Sequence, residues 1–320
     1  MTASYTREGL RAEVQTFLQM IAAGRVPGAP RDASAMRALD DAMAAMLNLG
    51  APPVALEREI HIPTPAGDVR ALVYAPERKD GELLPLVQYT HGGGFVIMRA
   101  DTVTKLCKRI AVEARSVVVS VDYRRAPEHP YPAPLDDCVA AFRWLREHAR
   151  EFGGDPARIS TGGESAGGNL AAATALRLQR DGEPLPDAVV MACAWTDLAM
   201  TTRSFGVFGP DDMLIDNEVM SYWRACYAPD AADWTDPLVS PLRADLSAFP
   251  PACIMAAGID PLYDDNVLFA EKLRAAGRDV ELHEYPGMPH DFLLFPQLEP
   301  LTDVVSAIAG FLRRVQAAVA

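Results

Sequence analysis

The residues with the clearest chemical potential are a serine between glycines, a glycine run after a histidine, and a late aspartate and histidine. The serine is Ser165, in Gly163-Glu164-Ser165-Ala166-Gly167, followed at once by Gly168-Asn169-Leu170. A hydroxyl attacks a carbonyl only when a base takes its proton and donors receive the developing charge. Glycines two residues before and after the serine suit a strand–turn–helix bend too tight for flanking side chains. The bend leaves Ser165 at a helix N-terminus, where the dipole favours negative charge. The bare pattern arises by chance about once in ten chains of this length. The context therefore carries the reading: a strand-like run precedes the motif and a strong helix-forming run, Leu170 to Leu178, follows it.

The glycine run is His91-Gly92-Gly93-Gly94-Phe95, directly after the apolar run Leu86–Thr90. Without a Cβ in the way, its N–H groups can converge on one oxygen and supply half of an oxyanion hole. The N–H after the nucleophile, here Ala166, supplies the rest. Neither G-x-G-x-x-G nor G-x-x-x-x-G-K-[ST] occurs, so the loop gives little support to nucleotide binding.

In this topology the order is serine, acid, histidine. Of the six histidines only His283 and His290 follow Ser165. His283 lies inside the strand-like Val280–Tyr285, whereas His290 lies beyond it in a Pro-Gly-Met-Pro-His loop and is the favoured base. Asp260 follows the apolar run Ala252–Ile259 and is the favoured acid. Asp264 is the reserve, and Asp264 and Asp265 are expected to cap the next helix.

The elements that must position these groups read as alternating strands and helices. Strands are expected at Leu56–Ile62, Val69–Tyr74, Leu86–Thr90, Val117–Asp122, Ile159–Gly162, Ala188–Ala194, Cys253–Gly258 and Val280–Tyr285. Helices are expected at Thr102–Ala114, Leu135–Phe152, Ala166–Asp181, Asn266–Ala276 and Leu301–Val319. Near-continuous apolar strands separated by helices predict an α/β fold, with a mostly parallel sheet covered on both faces. Before the first strand, Val14, Phe17, Leu18 and Ile21, then Met36, Leu39, Met43, Met46 and Leu47, repeat at helical spacing. Asp32 or Ser34 could cap the second helix. Between Ala194 and Cys253 lies a long insertion rich in aromatics and methionine, which predicts a lid or cap. Its Phe205, Phe208, Met213 and Trp223, with Phe95 and Phe292, are candidates to line a substrate pocket.

Of the 320 residues, 49% are hydrophobic and 23% charged, which excludes a disordered chain. Thirty basic against 43 acidic residues give a net charge of −13, which argues against nucleic acid or an anionic membrane surface as partner. The five cysteines have no zinc-type spacing and suit reduced thiols in a cytoplasmic protein. No run reaches the length of a membrane span, and charges interrupt any N-terminal signal-like segment.

Taken in order, His91–Phe95, Tyr123-Arg-Arg-Ala-Pro-Glu-His-Pro-Tyr-Pro-Ala-Pro134, Gly163–Leu170, Asp260-Pro-Leu-Tyr-Asp264 and Tyr285-Pro-Gly-Met-Pro-His290 resemble the bacterial hormone-sensitive-lipase-like (family IV) esterases. The resemblance runs from about Pro85 to Phe292. It implies an α/β-hydrolase fold with an eight-stranded sheet. It also implies a triad of Ser165, His290 and Asp260, and an oxyanion hole from the N–H groups of Gly93, Gly94 and Ala166. Residues 1–52 and an insertion at about 198–235 would form a helical cap on a catalytic domain of residues 53–320. The implied activity is hydrolysis of short-chain carboxylic esters without cofactor or metal; many members dimerise, so a homodimer is an expected assembly. An amidase or deacetylase on the same triad is the alternative, and a non-catalytic binder of this fold is a more distant one. Three positions depart from the family: Glu164 where Asp or Thr is usual, Asp291 where Gly is common, and Arg125 in place of an apolar residue. The first two bear on substrate preference and pH optimum. The Tyr123–Pro134 segment reads as a scaffold, in which Arg124 and Glu128 are expected to pair.

Overall fold

The protein is described by a computed structural model covering residues 10–24, 32–210, 214–299 and 302–319. Met213 and the expected start of the last helix at Leu301 lie outside the described residues. Eight strands form one sheet: β1 (Leu56–Ile62), β2 (Val69–Ala75), β3 (Leu84–Thr90), β4 (Val117–Val121), β5 (Gly154–Glu164), β6 (Val189–Ala192), β7 (Ala252–Ile259) and β8 (Val280–Pro289). Their spatial order is β1-β2-β4-β3-β5-β6-β7-β8. The first two strands pair antiparallel, as do β2 and β4, and the rest are parallel.

The parallel strands are apolar on both sides because helices cover both faces. Along β4, Val117, Val119 and Val121 enter one core cluster and Val118 the other. The first cluster takes in α4 (Ala133–His148), α5 (Ala166–Asp181) and α8 (Tyr263–Ala275). The second takes in α3 (Thr104–Ala114) and α9 (Val304–Val319), which pack against each other. Helix α1 (Ala12–Gly24) joins the second cluster through Val14 and Phe17, the latter 4.7 Å from the Phe295 ring. Helix α2 (Ala33–Leu47) is capped by Asp32, whose carboxylate accepts from the Ala35 amide.

The insertion holds α6 (Arg203–Phe208) and α7 (Asn217–Tyr227). Arg37 of α2 fixes the N-terminal region to the body: it donates to the carbonyls of Val96 (2.8 Å) and Ala126 (2.7 Å) and pairs with Glu128 at 2.7 Å. The expected Arg124–Glu128 pair therefore does not form. Arg124 instead grips the buried Asp137 of α4 at 2.8 Å, because the proline-rich loop turns its side chain inward while Glu128 points out toward α2. The cap on α8 is also a correction. Asp264 accepts from the Ser204 amide, and Asp265 from the amides of Thr196 and Asp197, so both tie down the chain after β6. Among the described residues no helix is long and apolar enough to cross a membrane.

Candidate active site

The register brings four strand ends to one edge of the sheet: Thr90 of β3 pairs with Gly163 of β5, Glu164 with Ala192 of β6, and Ala192 with Met255 of β7. Ser165 follows β5 directly and α5 begins at the next residue, so the reversal is made by the serine alone, at φ 52° and ψ −121°. Such a left-handed φ is strained for a non-glycine residue and is held by its surroundings. The Ser165 amide donates to Ala192 O (2.8 Å), and its carbonyl accepts from Trp195 and Asn169. The flanking glycines are needed because the chain passes so close: a Cβ on Gly167 would lie 2.0 Å from the Thr90 carbonyl, and one on Gly163 would lie 2.4 Å from it. Thr90 adds its own hydroxyl bonds to the carbonyls of Gly162 and Gly167.

His290 stands just past β8. Its Nε2 is 2.9 Å from Ser165 Oγ and its Nδ1 is 2.8 Å from Asp260 Oδ2. Asp260 Oδ1 accepts from the Leu262 amide at 2.9 Å, which fixes the carboxylate. All three side chains are buried, with exposures of 3% (Ser165), 4% (His290) and 0% (Asp260). Burial opposes charge on the imidazole, but the Asp260 and Asp291 carboxylates outweigh it and hold the His290 pKa well above its ordinary value. His283 is on the strand, beside Glu281 at 3.4 Å, and Asp264 is bonded to Ser204; neither joins the serine.

The glycine loop is clamped from several sides. Tyr123 donates to the carbonyl of His91 at 2.9 Å and stacks on its ring at 4.2 Å. Glu164 Oε1 accepts from the Gly92 amide at 2.6 Å. Burial depresses the His91 pKa to about 4, against the pull of Asp122, so this ring is neutral. Burial and the charge of Asp291 push Glu164 up to about 8. Trp223 of α7 lies flat on Gly94: a Cβ there would fall 2.2 Å from the indole Cδ2. A Cβ on Gly92 would lie 3.2 Å from Ser165 Cβ, so the structure brings the triad together and sets the start of the glycine loop beside the nucleophile, with Ala166 next in the chain.

The expected pocket residues divide. Trp223 covers the glycine loop, and Phe205 is half-buried against the same core cluster. Phe95 is fully buried, stacked on Tyr227 at 3.7 Å. Phe208 and Phe292 are likewise buried, in the cluster on the α3–α9 side. These three are packed in the core clusters. Two other groups could suggest a metal. Cys193 gathers with Asp260 and His290, and Cys253 with Glu281 and His283. The first is the triad's own wall. In the second, Arg314 already pairs with Glu281 and burial raises the Cys253 thiol, so packing and ion pairing account for it.

Sequence reasoning missed Arg37, Tyr123, Asn169 and Asn266. Asn169 bridges the carbonyls of Trp195 and Val239, and Asn266 bonds both the amide and the carbonyl of Ala194. Each is a single polar residue with at least one backbone partner far along the chain, and no spacing announces them.

Known proteins resemble this chain in sequence and fold. Residues 87–294 match the profile of a family described as alpha/beta hydrolase fold. The chain is 40% identical over 270 residues to the carboxylic ester hydrolase LipN of Mycobacterium tuberculosis, covering 80% of this chain and 71% of that protein. It is 44% identical over 225 residues to the carboxylesterase NlhH of the same species, covering 68% and 69%. A solved esterase of Pyrobaculum calidifontis superposes with a TM-score of 0.89 at 34% identity, covering 97% of this chain and 100% of that one. The chain belongs to the alpha/beta hydrolase fold family, in its hormone-sensitive-lipase-like branch.

Proposed function

We propose that this carboxylic ester hydrolase works on small, short-chain esters through Ser165, His290 and Asp260. The unbroken hydrogen-bonded line from Asp260 through His290 to Ser165, beside the glycine loop, carries the reading. Ser165 Oγ attacks the ester carbonyl as its proton passes to His290 Nε2, and Asp260 stabilises the imidazolium through Nδ1. The N–H groups of Gly93, Gly94 and Ala166 receive the oxyanion. Collapse breaks the C–O bond, and the alcohol leaves with the proton from Nε2. Water then attacks the acyl-enzyme, gives a proton to Nε2, and the acid departs as Ser165 regains its hydrogen.

In this reading residues 1–52 and 198–235 form the cap, with Phe205 and Trp223 on its inner side. Ala33 of α2 and Tyr222 of α7 pack against the same core cluster, which supports their meeting. The five free thiols support a cytoplasmic location, and a homodimer is part of the proposal, to be checked by size-exclusion chromatography. Treatment with a fluorophosphonate tests the core of it. The reagent is expected to block turnover of a p-nitrophenyl ester and to leave its adduct on the peptide carrying Ser165. An adduct elsewhere, or activity that survives full labelling, overturns the assignment.

A further inference from the structure

Two carboxyls beside the triad have no part in that mechanism. Glu164 immediately precedes the nucleophile and is fully buried; its Oε1 holds the Gly92 amide, while its Oε2, also buried, has no hydrogen-bond partner. Asp291 immediately follows the base. Its Oδ2 lies 3.3 Å from His290 Nε2, the nitrogen that faces Ser165, and its Oδ1 is buried without a partner. A buried carboxylate short of donors is costly, whereas a carboxylic acid carries a donor of its own. The groups acting on Glu164 are the Tyr89 hydroxyl of β3, the Gly92 amide and Asp291, with Cys107 of α3 and Tyr123 also near. Asp291 faces His290, Glu164, Tyr89 and Cys193, and Asp260 lies across the imidazole. His290 is the one potential cation in this set, and Asp260, Asp291 and Glu164 together are three carboxyls around it, so they cannot all be balanced as anions.

We propose that Glu164 and Asp291 are a pair of positioning carboxyls, Glu164 a neutral acid that anchors the glycine loop through Gly92, and Asp291 the anion that steadies the Nε2 edge of His290. The proposal rests on the triad reading. The division of labour follows from what each carboxyl faces: Asp291 lies 3.3 Å from His290 Nε2 and is attracted to the imidazolium that forms when that nitrogen takes the serine proton, whereas Glu164 has only the neutral Gly92 amide and Tyr89 phenol against its burial. Burial with the neighbouring charge of Asp291 keeps the proton on Glu164 up to about pH 8. Once ionised, Glu164 sets a negative charge next to the loop that must gather the oxyanion, which opposes catalysis.

The test is kcat and kcat/KM against pH for wild type, Asp291→Asn, Asp291→Gly and Glu164→Gln, with Ser165→Ala alongside. Asp291 has φ 49°, so glycine suits its backbone and that variant is expected to fold. An anion beside His290 raises the pKa of its imidazole, so removing it moves the acid limb of kcat/KM to lower pH, by about one to three units. Wild-type kcat is expected to fall above about pH 8, and Glu164→Gln to abolish that fall. Acid limbs unmoved in both Asp291 variants, or an alkaline fall that survives in Glu164→Gln, overturn the proposal. If Glu164→Gln does not fold, infrared spectra of the wild type decide: the carbonyl band of a buried carboxylic acid must be present at neutral pH and disappear as pH passes about 8. Turnover retained by Ser165→Ala is a separate result, since it removes the triad itself.

Discussion

Around Ser165 the chain is pinned backbone to backbone, whereas α2 and α6–α7, the cover in the proposed reading, are held mainly through side chains, with one backbone bond from the Tyr131 amide to the Tyr227 carbonyl at the end of α7. The serine's amide bonds Ala192 at the end of β6 and its carbonyl accepts from Trp195 just beyond it, and Gly163 and Gly167 allow contacts that no other residue permits. Above, Arg37 reaches two carbonyls and one carboxylate, the Trp223 ring rests on Gly94, and Tyr222 and Ala33 pack against one core cluster. Reacting atoms must be held within fractions of an ångström, so their supports are rigid and redundant. A cover that admits substrate needs contacts that can be released one at a time. In the proposed reading, the difference gives chemistry to the lower region and selection to the upper.

Four substitutions separate the two regions, beginning where the effect is largest. Ser165→Ala should lower kcat by about four to six orders of magnitude while the melting temperature stays near wild type. Steady-state turnover and thermal denaturation check both halves, and an active variant would remove the lower region's role. Gly94→Ala should lower kcat/KM by about 10²-fold, because its Cβ cannot coexist with Trp223 in place and the loop must shift. The double variant Gly94→Ala/Trp223→Ala should recover part of that loss, which tests the contact between regions. Arg37→Ala should cost about 1–3 kcal/mol in chemical denaturation, since two carbonyls lose their donor, with kcat changed less than stability. Phe205→Ala should alter KM for longer acyl chains by about threefold to tenfold and leave kcat for acetate esters nearly unchanged. A chain-length series of p-nitrophenyl esters reads that last effect; a loss of kcat on every ester would move Phe205 into the lower region.

The two regions are also unequally legible in the sequence. Below, each strand has its own run of apolar residues, and the triad follows the strand ends in a fixed order. Motif and chain order alone therefore single out Ser165, Asp260 and His290, and the eight strands stand where the apolar runs predict, with shifts mainly at their ends. Above, the signal is composition alone. An aromatic-rich insertion signals a cover but does not say which ring faces the serine: Phe208 is buried in one core cluster and Phe205 is half-buried against the other. Polar pairing misleads for a related reason. Arg124 and Glu128 are close in sequence, but a loop with four prolines points them to opposite sides, toward Asp137 and Arg37. Asp264 and Asp265 begin a helix as a capping pattern would, yet the N-terminal turn of α8 leaves them facing the chain after β6. Periodicity reports which face of an element is apolar. It does not report the distant partner of a single polar group.

The indole of Trp223 lies against Gly94, so the enzyme carries its own optical gauge. A ring wedged between helix and loop fluoresces as an apolar-site tryptophan, and water reaching it as α7 lifts shifts the emission to the red. Stopped-flow emission compared with that of a Trp223→Phe variant would then time the arrival of an ester and the departure of its products, with no dye attached.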